Sequence, residues 1–215
     1  MTKESVIDFL DFKVFLKFTK RARNIRLKIN KQGKISCSLP FYTTQKTAIN
    51  FLNTHKDWLT KTHEQISANL PKDDEFCLLG KIYKIKFDEN LSSVLISDDQ
   101  ILAANLKRLE EFKKSEAKRV FSGFIDKFAP IINRKINRVV IRKMQTRWGS
   151  CNYHKGYINL NLNLIEKEPG LIEYVILHEL THLIYPHHQK SFYEYIGSLM
   201  SDFKEREKRL NKAVI

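Results

Sequence analysis

The 215 residues are 42% hydrophobic and 11% aromatic with only 7 Gly and 5 Pro, which excludes a disordered tail or a linker-rich array and suffices for one domain or two small lobes. Thirty-eight Lys and Arg against 24 Asp and Glu set a formal net charge of +14, a field that suits an anionic partner such as nucleic acid or a nucleotide, and that also keeps a Lys-rich surface solvated. Acids occupy the opening residues where a signal peptide needs bases, no apolar run approaches membrane length, and Cys37, Cys77 and Cys151 form no CxxC pair, so a soluble cytoplasmic protein without a disulfide framework is expected.

In chain order, 12–18, 24–29 and 34–39 mix β-branched and aromatic residues with partial alternation, and Asn30 to Gly33 supplies a turn. A small antiparallel sheet is predicted there. Thr43 or Thr44 caps a predicted helix running to about Asn69, with Ile49, Leu52, Trp58, Leu59 and Ile66 on one side and Pro71 as its stop. Short strands follow at 76–87 and 94–103, the second broken near 97–99. The texture then changes, with a long amphipathic helix at 106–128 ended by Pro130. Strands at 137–143 and 156–161 flank a loop at 144–155, and two helices, 170–184 and 191–211, close the chain. These elements read as an α+β fold. They divide into a basic β-rich lobe with one helix, 1–104, and a second lobe, 105–215, whose penultimate helix packs on a small sheet.

Charge is unevenly distributed along this order. Eleven Lys and Arg and no acid lie between Lys13 and Lys56, and eight with no acid between Lys127 and Lys155. A continuous basic face for nucleic acid or a nucleotide is therefore a candidate, alongside a merely solvated surface.

The penultimate helix carries the sharpest motif. His178-Glu-Leu-Thr-His182 is HExxH, whose two histidines at i and i+4 share one helix face and can reach a single metal ion. Glu179 stands beside them, placed to take a proton from a water on that ion. A catalytic zinc needs a third protein ligand. Pro186 turns the chain just beyond the helix, so by spacing His187, His188 or, from the last helix, Glu194 can supply it. His55, His63 and His154 have no metal spacing and are expected to be solvated or structural.

Four segments carry a family resemblance. They are Thr146-Arg-Trp-Gly-Ser-Cys151, Gly156-Tyr-Ile-Asn-Leu-Asn161, Tyr174-Val-Ile-Leu-His-Glu-Leu-Thr-His-Leu183, and His188 followed by Phe192. Together with the basic Lys20-Arg-Ala-Arg-Asn-Ile-Arg opening and His55-Lys-Asp-Trp58, they resemble the YgjP-like metallopeptidase family, also called DUF45, over about residues 20 to 205. More distantly the chain is similar to SprT-type zinc proteases. The resemblance implies a zincin-like catalytic lobe and zinc held by His178, His182 and His188. Gln189 departs from the family's serine after the third histidine, and Tyr185 stands where a metzincin has its turn glycine.

The expected function is a zinc-dependent peptidase acting on protein or peptide, with Zn2+ on the three histidines and Glu179 as the base. Arg147, Tyr185 and His187 are candidates to contact substrate or its developing oxyanion. Two other readings share these residues. One is a metal-dependent phosphoanhydride hydrolase in which Arg147 holds a nucleotide, and the other a zinc-stabilised nucleic-acid binder in which Glu179 is dispensable. Trp148 and Cys151 are expected to serve packing.

Overall fold

In the computed structural model, which describes residues 2–30, 33–68 and 74–212, alternation organises the first sheet. In β2 (Phe12–Thr19) Val14, Leu16 and Phe18 are buried while Lys13 and Lys17 face outward. In β4 (Ile35–Pro40) the buried set is Ile35, Cys37 and Leu39. Period two therefore puts one face of each strand into a shared core. β1 (Thr2–Phe9), additional to the strands expected from the sequence, pairs antiparallel with β2, and β3 (Arg26–Ile29) pairs antiparallel with β4. The sheet order is β1-β2-β4-β3 with β2 and β4 parallel. It is thus mixed rather than wholly antiparallel, because the chain crosses to the far edge as β3 and returns beside β2 as β4.

The single helix expected after Thr44 is two, α1 (Gln45–Thr54) and α2 (Lys56–Ala68). Thr44 is the N-cap, accepting from the Thr47 N–H. The break falls at His55, whose backbone leaves helical geometry and whose ring stacks on Phe51 with centroids 4.2 Å apart. Ala48, Leu52, Leu59 and Ile66 are buried, whereas Ile49 and Trp58 are exposed. Pro71 lies outside the described residues.

The chain divides into compact units 1–70 and 71–215, not at 104. The physical reason is a shared core in the second unit. β5 (Glu75–Leu78) and β6 (Lys81–Phe87) form a hairpin where one strand was expected, and they join β7 (Leu95–Ile96) and β8 (Gln100–Ala103) in the order β5-β6-β8-β7. Phe76, Leu78, Ile101 and Ala103 of this sheet belong to the same core as Leu109, Phe121, Ile158 and Ile176. The hairpin turn is tied to that core too, with the Leu79 and Gly80 N–H groups donating to the Ile165 and Glu166 carbonyls at 2.8 and 3.1 Å.

α3 (Leu106–Ile132) is capped by the Asn105 side chain and runs through Pro130. Proline removes one donor but fits helical φ, and the helix stops instead at Asn133, in the left-handed region at φ 47°. β9 (Arg138–Arg142) pairs parallel with β11 (Tyr157–Asn161). β10 (Gly149–Asn152), which forms inside the segment expected to be a loop, pairs antiparallel with β11 at the edge of this sheet. After a 3₁₀ turn at Leu162–Glu166 comes α4 (Pro169–Thr181), buried on almost every side and packed against α3, α5, α6 and β10. The closing helix is two, α5 (Lys190–Leu199) and α6 (Phe203–Lys212), since extended backbone at Met200 turns Met200, Phe203 and Leu210 into the core. No helix among the described residues is long and apolar enough to cross a membrane.

Candidate metal centre

α4 carries the HExxH histidines at its C-terminal end. A helix apolar on nearly every side is held by its neighbours, so the side chains at its last turn are held with it. His182 caps α4, and the chain then turns through Leu183 to Tyr185, whose N–H donates to the Thr181 carbonyl at 2.9 Å. This turn brings His188 back over the helix end. One ring nitrogen from each of His178, His182 and His188 lies within 4.8 Å of the others, a set that can hold a metal ion. Glu194, the competing third ligand by spacing, is exposed and pairs with Lys190 on its own helix.

The chemistry of the donor set fits a single small cation. His182 Nδ1 faces the Tyr185 carbonyl oxygen at 3.1 Å, and as a donor there it leaves Nε2 with its lone pair turned to the other histidines, the arrangement that orients metal-ligating imidazoles. The Nε2 atoms of His178 and His188 are 3.1 Å apart, near the separation of about 3.3 Å that two nitrogens take on one tetrahedral zinc. Burial, then the neighbouring His182 and His188, push His178 down to about 3, and burial lowers His182 as well. Both are therefore neutral, the form that ligates.

Phe192 of α5 sits at the centre of this group. Fully buried, it lies 4.9 Å from the His178 ring, 4.7 Å from His182 and 4.9 Å from His188. It fixes three imidazoles with one aromatic wall. The sequence showed Phe192 only as part of a motif; its position four residues beyond His188, on an amphipathic helix, was the available signal.

Glu179 points to the opposite wall. Buried under β10, it is pushed up to about 8 by desolvation, with the Arg147 charge partly offsetting that. A Cβ on Gly149 would stand 2.5 Å from the Glu179 Cγ and Oε1, so only glycine lets β10 lie this close to the carboxylate. Asn161, fully buried, holds the preceding loop. Its Nδ2 donates to the carbonyls of Met144 and Arg147 at 2.9 and 3.0 Å, and its Oδ1 accepts from the Met144 and Asn163 N–H groups. Neither role was read from the sequence, because both depend on strand β10.

A cleft of about 530 Å³ runs along α4 between β10 and α6. His178, Glu179, His182 and His188 line it together with Arg147, Trp148, Gly149 and Cys151. Of the three residues expected to touch substrate, Arg147 stands in this wall. Tyr185 and His187 do not line the cleft, since the turn after α4 directs them elsewhere. Tyr185 packs toward Tyr195 and contributes its backbone oxygen to His182, and His187 is exposed. Trp148 is buried in the core, with Lys167 over its ring at 5.2 Å. Cys151 is half-buried and unpaired, its thiol pushed up to about 12 by burial and by Glu179.

A histidine triad at the end of a buried helix, with a carboxylate sequestered next to it in an open cleft, is an arrangement suited to a metal-dependent hydrolase. The family described as "YgjP-like, metallopeptidase domain" matches residues 23–213. The chain belongs to that metallopeptidase family. Among solved structures it is similar to the metallopeptidase zymogen abylysin of Pyrococcus abyssi, at 22% identity and a TM-score of 0.39 over 42% of this chain and 90% of that one. It is also similar to the metallopeptidase zymogen jannalysin of Methanocaldococcus jannaschii, at 22% identity and a TM-score of 0.39 over 44% and 90% of the respective chains. No curated protein matches it significantly in sequence.

Proposed function

We propose that this metallopeptidase is zinc-dependent, with His178, His182 and His188 as ligands and Glu179 as general base. The observation that carries the reading is the convergence of three imidazole nitrogens beside the buried Glu179 in one open cleft. Zinc supplies there the polarisation of the scissile carbonyl and the acidity of the attacking water. Glu179 takes the proton of that water and returns it to the departing amine. Arg147, on the cleft wall, is the side chain best placed to steady the developing negative charge. β10 pairs with β11 along one edge and, among the described residues, with no strand along the other. Its free edge offers backbone groups to an extended peptide.

The cationic side chains of the cleft suit a peptide better than a nucleoside triphosphate. Arg147 is the one Lys or Arg among its lining residues, and a polyphosphate is ordinarily held by several cationic groups. Nucleic acid finds a better match in the first unit, where Lys13 to Lys56 carries no acid. We assign to that stretch weak, sequence-indifferent binding that falls steeply with salt. The three cysteines are all free thiols, in keeping with a reducing compartment such as the cytoplasm.

The test compares zinc-loaded wild type with Glu179→Gln on unfolded protein, with and without DNA, and separately on nucleoside triphosphates. Proteolysis is expected in the wild type and should fall by roughly two to four orders of magnitude in the variant, with zinc content unchanged. Nucleotide turnover abolished by Glu179→Gln, with no proteolysis in any condition, overturns the reading.

A further inference from the structure

The cleft extends past the metal-binding histidines toward the N-terminus of α4. Tyr174, His178 and His182 recur at i+4 spacing on one face of that helix, so the cleft floor continues roughly one helical turn, or about 5.4 Å, beyond His178. There its wall changes. Tyr174, Val175 and Leu210, all buried, supply apolar surface, and Glu207 and Asn211 of α6 complete the lining. Glu207 is half-buried, and its Oε1 accepts a hydrogen bond from the Tyr174 hydroxyl at 3.1 Å.

Glu207 differs from three other acids of α4, α6 and their flanks. Glu173 pairs with Lys127 and Arg206, Glu168 with Arg209, and Asp202 with Arg206. Glu207 has no cationic partner among the described residues, although Arg206, Lys208 and Arg209 flank it in sequence. The Tyr174 hydroxyl holds one carboxylate oxygen of Glu207, which lines the cleft. An apolar sleeve ending in a fixed carboxylate matches a side chain with an aliphatic stem and a cationic head, and it opposes an acidic one.

We propose that Tyr174, Val175, Leu210 and Glu207 form the specificity pocket of the site, selecting a substrate with lysine or arginine beside the scissile bond. This rests on the peptidase reading above for the bond that is cut, and on the cleft alone for what is bound. Glu207 sets the preference by its charge, and Tyr174 positions it.

The experiment has two arms so that the two readings fail separately. In the first, zinc-loaded wild type cleaves peptides identical except for Lys, Arg, Met or Glu at each position flanking the scissile bond. Lys and Arg are expected to exceed Met by roughly tenfold in kcat/KM at one of these positions. Glu207→Gln should bring that ratio close to one, and Glu207→Lys should favour the Glu peptide. Tyr174→Phe, which keeps the ring, should reduce the ratio in part. Melting temperature and zinc content identify any variant that has lost its fold. The second arm measures fluorescence polarisation of labelled Lys and Glu peptides on Glu179→Gln, with and without Glu207→Gln, so that binding is read without turnover. A tighter Lys peptide that depends on Glu207 supports the pocket even if wild type cleaves nothing, an outcome that sinks only the peptidase reading. A Lys-to-Met or Lys-to-Glu ratio that Glu207→Gln leaves unchanged in both arms overturns the pocket, whether or not peptides are cleaved.

Discussion

Gly149→Ala adds one methyl group at the point where β10 crosses Glu179. Gly149 has ordinary negative-φ backbone, so alanine meets no conformational objection and the whole effect is spatial. The new Cβ would lie 2.5 Å from Glu179 Cγ and Oε1 and 2.7 Å from Cδ, whereas ordinary contact begins near 3.4 Å. Relief requires a displacement of about 1 Å. Cγ is close to the helix backbone and Glu179 is buried, so the carboxylate has little room to rotate away and either it or β10 must move. Overpacking of this kind costs about 1–3 kcal/mol. A catalytic group misplaced by about 1 Å loses roughly 10²-fold in rate. We expect Gly149→Ala to fold with a lowered melting temperature, to bind zinc with near-wild-type affinity, because the atoms nearest the added methyl belong to Glu179 and not to a histidine, and to lose roughly 10²-fold in kcat/KM on peptide. Gly123→Ala is the matched control. It sits on the exposed face of α3 with nothing within 4 Å of the added Cβ and should gain about 0.4–1 kcal/mol. A Gly149→Ala protein with wild-type activity and melting temperature, measured beside an inactive Glu179→Gln, would refute the close approach of β10 to the base.

His188→Ala should lose zinc affinity by 10-fold or more while His187→Ala retains it, in a zinc competition titration; the opposite order would move the third ligand. Native protein at pH 8 should react slowly with a disulfide reagent, because burial pushes Cys37 up to about 11 and Cys151 up to about 12 and raises Cys77. The thiolate fraction at Cys151 is then about 10⁻⁴. Three thiols should appear rapidly only on unfolding, and fast native labelling would contradict the burial. Burial alone would raise the Glu173 carboxyl, but hydrogen bonds from Lys127 and Arg206 more than offset it and hold it below its ordinary value. A carboxylate depressed in the folded state contributes stability that is present above its unfolded pKa of about 4.3 and is lost as pH falls through the lower folded value. The melting temperature should therefore drop below about pH 4.3, and less steeply for Glu173→Gln; identical acid profiles would remove the ion pair from the stability of α4 and α6.

What the sequence determined by itself is what local spacing controls. His178 and His182 share a face because an α-helix repeats every 3.6 residues, and Glu179 follows from the same geometry. Pro186 made a turn after that helix legible, and buried alternation announced β2, β4 and β11. Membership of the metallopeptidase family was legible in the Thr146–Cys151 and Tyr174–Leu183 segments. Helix breaks were not. The His55 break and the bend at Met200 occur inside sequences that continue a helical pattern, and they happen because packing Leu59 or Phe203 inward is worth more than continuing the helix. The domain boundary was misplaced for a related reason. A change of texture at residue 104 marks a change of secondary structure, but Phe76, Leu78 and Ile101 bury themselves with Phe121 and Ile158 across that point, and the shared core decides which segments fold as one. Only the tertiary structure could bring Gly149 onto Glu179, Asn161 under the Arg147 loop, and Glu207 to Tyr174. Each of these pairs is separated by 14 to 33 residues, and contacts at that range depend on how sheets and helices stack rather than on any period written along the chain.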